Sequence, residues 1–251
     1  MMKTKLFMAA LLISTCSMAG TISIAVAANV SYAIDDLKKA FNKQYPDTDV
    51  KVTLGSSGKL TAQIKNGAPY EILMSANMKY PEALYKEKLA VTEPVVYARG
   101  SLAVLSSRKK DFSQGINIVL DKQIRAIAIA NPKSAPYGKA AVEALKNAGL
   151  YEKVKHKFVN AESISQTVAY TVTAADIGFI AKSSLYSSRM ARFRRGDYFI
   201  DVDPELYTPI SQGMVILKKG EEEREVRAFY NFILGPKAKE IFEKYGYRVN
   251  E

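Results

Sequence analysis

Short apolar runs alternate with amphipathic stretches along almost the whole chain, and that alternation restricts the fold more than any other feature. Residues 21–27 read as a strand. From Tyr32 to Tyr45 the apolar positions Ala33, Leu37, Ala40, Phe41 and Tyr45 keep helical spacing, and Pro46 ends the run. Further strands are predicted at 50–54, 71–74, 101–105, 125–130, 176–181 and 214–217. Helices are predicted at 58–66, 81–86, 137–148 and 163–173, and two more close the chain on either side of Gly235-Pro236. Strand–helix alternation argues for an α/β protein with mostly parallel sheets flanked by helices. The 251 residues suffice for one large unit or two small ones. No long linker divides them, so two lobes would be joined by short segments near 96–101 and 207–213. On this reading, residues 20–97 with 211–251 form one lobe and 98–210 the other.

The first residues have the form of a cleaved secretory signal. Lys3 and Lys5 give a basic start, Leu6 to Ile13 form an apolar run too short to span a membrane, and Ser17-Met18-Ala19 offers a cleavage site. A periplasmic location follows from a signal over 1–19. Ile13-Ser14-Thr15 is a poor match for lipid attachment at Cys16. Losing the leader removes Cys16, the only cysteine, and with it thiol, disulfide and cysteine–metal chemistry. The single histidine, His156, lies between Lys155 and Lys157 and reads as solvated, which argues against histidine catalysis and zinc. The formal charge of +11 falls to about +9 without Lys3 and Lys5. Such a field favours encounter with anions. The basic residues are dispersed and form no nucleic-acid motif; the densest group, Arg189, Arg192, Arg194 and Arg195, reads as a solvated loop.

Four strand-to-helix junctions share one chemistry. They are Ala27-Ala28-Asn29-Val30-Ser31, Gly55-Ser56-Ser57-Gly58, the stretch from Asn131-Pro132 to Pro136-Tyr137-Gly138, and Asn160-Ala161-Glu162-Ser163-Ile164. The first turn of a helix leaves backbone N–H groups unpaired and carries partial positive charge, so it holds an anion readily. In open α/β sheets these turns lie at the carboxyl edge, where ligands bind. A Ser or Asn at one such turn ordinarily just caps the helix. Four in one basic, exported chain without catalytic residues point instead to an anion site, with hydroxyls of Ser56 and Ser57 and the amide of Asn29 as neutral donors.

Taken in order, these stretches resemble the periplasmic molybdate-binding proteins of ABC transporters. The likeness extends through Lys59-Leu60, Gln63-Ile64, Gly67-Ala68-Pro69, Ser75-Ala76-Asn77, Asp176-Ile177-Gly178-Phe179 and the ending Gly235-Pro236-Lys237-Ala238, Ile241-Phe242 and Tyr245-Gly246. The resemblance implies a two-lobed periplasmic binding protein of the type II kind, monomeric and without cofactor. It would close over molybdate or tungstate and deliver it to an inner-membrane ABC permease. It implies ligand contacts at Asn29, at Ser57 or its neighbour Ser56, and at the backbone N–H groups of Tyr137 and Ile164. The metal centre of the oxyanion would have no direct protein ligand. Two positions depart from the pattern. Many members have Ser at the Asn29 position, and many have a Tyr donor where this chain has Ala181.

A donor-only site leaves no acceptor for the proton of hydrogen phosphate, and a rigid cage excludes sulfate by size. Molybdate and tungstate are nearly isosteric and should be poorly distinguished. Two other readings stay open at this level. One is a binding protein for sulfate, phosphate or another oxyanion. The other is an exported hydrolase with Ser57 as nucleophile, which needs a base near Ser57 and lacks the G-x-S-x-G pattern. Gly55 to Lys59 also misses the spacing of a nucleotide phosphate loop.

Overall fold

The computed structural model describes residues 20–249; the expected signal at 1–19 lies outside them. The strands are β1 (Gly20–Ala27), β2 (Thr48–Gly55), β3 (Ile72–Met74), β4 (Val95–Gly100), β5 (Leu102–Leu105), β6 (Ile127–Ala130), β7 (Phe158–Ala161), β8 (Ile177–Ala181), β9 (Phe199–Asp201) and β10 (Ile210–Ile216). The helices are α1 (Ile34–Asn42), α2 (Ser57–Lys65), α3 (Lys79–Lys86), α4 (Pro136–Asn147), α5 (Tyr151–Val154), α6 (Ile164–Thr173), α7 (Arg224–Leu234) and α8 (Pro236–Lys244).

Two five-stranded sheets result, ordered β2-β1-β3-β10-β4 and β7-β6-β8-β5-β9. They repeat one plan. In each, three neighbouring strands pair in parallel, and a reversed strand (β10 or β5) joins them to the fifth. The alternation of side chains along a strand feeds two faces. Ile22, Ile24 and Val26 of β1 enter one core with Leu37, Phe41, Phe229 and Phe242, while Ala25 enters another with Leu60 and Leu84. Leu102 and Val104 of β5 pack with α4, whereas Ala103 and Leu105 pack with Val168 and Met190 on the opposite face. Each sheet is therefore covered on both sides, as parallel sheets require.

The two segments expected to join the lobes lie largely in strands. β4 and the start of β10 pair antiparallel, with Ile210 opposite Gly100 and Gln212 opposite Ala98 and a bulge between Gln212 and Gly213. The chain leaves the first sheet at Ser101 and re-enters it at Ile210, so β4 continues past residue 97, where the sequence reading divided the lobes. Each of these segments meets its backbone partner far away in sequence, which local pattern does not reveal. The same holds for the short β7 and β9. Crossing on a hydrogen-bonded strand pair keeps the backbone satisfied where it passes between lobes.

Candidate functional site

The four junctions converge. A small cavity is lined from the first sheet by Ala27, Ala28, Asn29, Gly55, Ser56, Ser57 and Ala76. The second sheet supplies Ala135, Pro136, Tyr137 and Ile164. All five residues singled out from the sequence, Asn29, Ser56, Ser57, Tyr137 and Ile164, lie on this lining. It contains no Lys, Arg, His, Asp or Glu.

The helix starts at the cavity differ in how they are finished. Ser56 occupies the capping position of α2 in extended backbone, yet its side chain makes no capping bond, and its Oγ is buried without a protein partner. Ser57 Oγ accepts the backbone N–H of Ala76 (2.9 Å), which leaves its own hydrogen free to donate. At α4 the cap is Ala135, which has no polar side chain, and Pro136 has no N–H. Tyr137 therefore brings the first amide of that helix, and a first-turn amide has no intrahelical acceptor. The fourth junction is capped conventionally. Ser163 Oγ accepts the N–H of Gln166 (3.3 Å), and Gln166 Oε1 accepts the N–H of Glu162 (2.6 Å). Ser163 is thus an ordinary cap, and the amide of Ile164, ahead of the capped one, is the group this turn can offer.

Asn29 is tied down from behind. Its Nδ2 donates to Gln212 Oε1 (2.8 Å) and Tyr247 Oη (3.0 Å), so the side-chain hydrogens expected as ligand donors are committed to protein acceptors. Its carbonyl accepts from Tyr247 Oη (2.8 Å) and from Ser183 Oγ (3.1 Å). Burial pushes the hydroxyls of Tyr97 and Tyr137 well above the usual tyrosine range and that of Tyr247 up to about 12, so all three stay neutral at ordinary pH.

The lobes are closed on one another at this point. Gly58 N–H donates to Ser134 O (2.9 Å), Ser183 Oγ bonds the Asn29 carbonyl, and Lys59 pairs with Glu162 at the surface. Ala27, Ala28 and Ala76 of the first lobe, with Ile210 at the start of β10, are buried in a core built mainly by the second. Gly58 has a steric role here, because a Cβ on it would stand 2.7 Å from Tyr80 Oη and 2.9 Å from the Ser134 carbonyl.

Ala181 is buried at the end of β8 and does not line the cavity. His156 is exposed, and so are Arg189, Arg192, Arg194 and Arg195. Sequence reasoning assigned no supporting role to Ala76 on the lining, which holds Ser57, or to Gln212 and Tyr247 behind it, which hold Asn29. They come from the connection after β3, from β10 and from near the chain end, and no local signal distinguishes that role.

A family model described as bacterial extracellular solute-binding protein matches residues 22–248. The chain is 38% identical over 241 residues to the molybdate-binding protein of Azotobacter vinelandii, covering 94% of this chain and 93% of that protein. It is 36% identical to the molybdate-binding protein of Rhodobacter capsulatus, covering 91% and 88%. The solved periplasmic molybdate-binding protein of Azotobacter vinelandii matches with a TM-score of 0.85 at 32% identity, covering 92% of this chain and 100% of that one.

Proposed function

The chain belongs to the family of bacterial extracellular solute-binding proteins, and on that premise we propose that it captures molybdate outside the cytoplasm and hands it to an ABC permease. One observation carries the ligand class. Uncapped helix starts from two lobes meet at a small cavity whose lining is neutral. Such a place suits an anion held by fixed dipoles, without a cation or a base. The donors proposed are the Ser56 and Ser57 hydroxyls, the backbone N–H of Asn29 in the short 3-10 turn Ala28–Tyr32 that follows β1, and the first-turn amides of Tyr137 and Ile164. Each hydrogen bond to a charged acceptor contributes about 1.5–3 kcal/mol, so several of them support tight binding after association costs.

The proposed lobes are those of the two sheets, and ligand bridging them favours the closed form. The protein works as a monomeric carrier, not an enzyme. The lining brings no histidine, lysine or carboxylate beside Ser57, and the Ser57 hydroxyl is engaged with Ala76. Native mass spectrometry and calorimetry with molybdate, tungstate, sulfate and phosphate test the reading. Molybdate and tungstate should be retained with similar affinity. Sulfate or phosphate binding as tightly as molybdate would refute it.

A further inference from the structure

The bonds around Asn29 agree on one orientation of its amide, with Oδ1 buried and without a protein partner. Tyr247 Oη has one hydrogen and gives it to the Asn29 carbonyl (2.8 Å). Its contact with the Asn29 side chain (3.0 Å) therefore requires that side chain to donate, which sets Nδ2 toward Tyr247. The other Nδ2 hydrogen goes to Gln212 (2.8 Å), which must present Oε1. Tyr97 Oη donates to the same oxygen (2.9 Å). Gln212 Nε2 is consequently turned away from Asn29. It lies 2.9 Å from where a Gly100 Cβ would stand, and Tyr137 Oη lies 1.9 Å from that point. Both atoms are buried and lack a protein partner. Gln212 and Gly100 belong to β10 and β4, the strand pair on which the chain crosses between lobes, while Tyr137 comes from the opposite lobe.

We propose that Gln212 and Tyr247 are positioning residues of the anion site: they hold the Asn29 turn from behind, and Gln212 does so from the strand pair that joins the lobes. Affinity then depends on two side chains that do not line the cavity. Pre-set donors lose less freedom on binding than mobile ones, which is the physical source of the effect. The inference rests on the cavity's being an oxyanion site.

Tyr247→Phe tests it, since it deletes one hydroxyl that bonds Asn29 twice. Gln212→Met is the second variant, for use if the first fails to fold. Tyr230→Phe is the control; it removes the hydroxyl of a tyrosine packed in the first lobe's core. Molybdate Kd is measured by calorimetry and ligand-free Tm by circular dichroism. Tyr247→Phe and Gln212→Met should each raise Kd about tenfold, and Tyr230→Phe should leave Kd within about threefold at a comparable Tm loss. In the wild-type protein, molybdate should shift the Asn29 backbone amide resonance and leave its side-chain NH2 pair in place. Wild-type Kd in both Tyr247→Phe and Gln212→Met, or equal weakening by Tyr230→Phe, overturns the proposal. Failure of the wild-type protein to bind any oxyanion overturns the functional reading itself, before any variant is compared.

Discussion

Removing the Ser56 hydroxyl separates a ligand contact from a helix cap. Ser56 sits where a capping side chain belongs but forms no capping bond, and its Oγ is buried and unpartnered in the protein. Ser56→Ala therefore deletes no intramolecular bond. A buried hydroxyl without a partner costs about 1–3 kcal/mol, so its loss should leave ligand-free stability unchanged or slightly raised. For a chain of this size 1 kcal/mol corresponds to roughly 2–4 °C in Tm. A hydrogen bond to a dianion contributes about 1.5–3 kcal/mol, so Kd should rise about 10- to 150-fold. Ser57→Ala makes the contrast. It strands the buried N–H of Ala76 and should cost about 1–3 kcal/mol of stability as well as affinity. The assay is molybdate calorimetry on anion-stripped protein, beside thermal unfolding without ligand. Loss of stability in Ser56→Ala with affinity intact would mean that the hydroxyl caps α2, and the reasoning fails.

Three further outcomes are expected. Gly58→Ala should weaken molybdate binding by more than tenfold with little loss of ligand-free stability, because Tyr80 Oη, the nearer atom, ends a flexible side chain that can move, whereas the Ser134 carbonyl is backbone of the other lobe and is met when the lobes are shut; calorimetry and small-angle scattering with saturating molybdate read it. Lys59→Gln removes the surface pair with Glu162 and should change Kd by less than about fivefold, the difference shrinking at high salt in a titration series. Tyr97, Tyr137 and Tyr247 have hydroxyls raised by burial, so their stabilising effect is complete below pH 10, the ordinary tyrosine value, and is lost as pH climbs above it, for Tyr247 through about 12; unfolding by urea across pH 8–12 should show that decline and none attributable to them below pH 10.

Closure explains why so small a cavity draws on residues from so much of the chain. Two repeated sheets each bring two strand ends to one place, and apolar contacts of Ala27, Ala28 and Ala76 with the other lobe make its surroundings largely apolar. Hydrogen bonds in such surroundings are stronger than in solvent, and an unpaired donor there is costly, which favours a ligand that accepts from all of them.

The sequence determined the α/β class, most strands and helices, and the four junctions with their small, neutral residues, because side-chain periodicity and helix-start chemistry are local. The composition also directed attention to anions and away from thiol or histidine chemistry. Tertiary structure decided the rest. It paired the two expected connections as neighbouring antiparallel strands, made Ser163 a plain cap while leaving Ser56 free, engaged Ser57 with Ala76, and turned the Asn29 amide inward to Gln212 and Tyr247. Each of those outcomes depends on which polar group another segment brings within bonding distance, and a hydroxyl or amide reads the same in sequence whether that neighbour is present or absent.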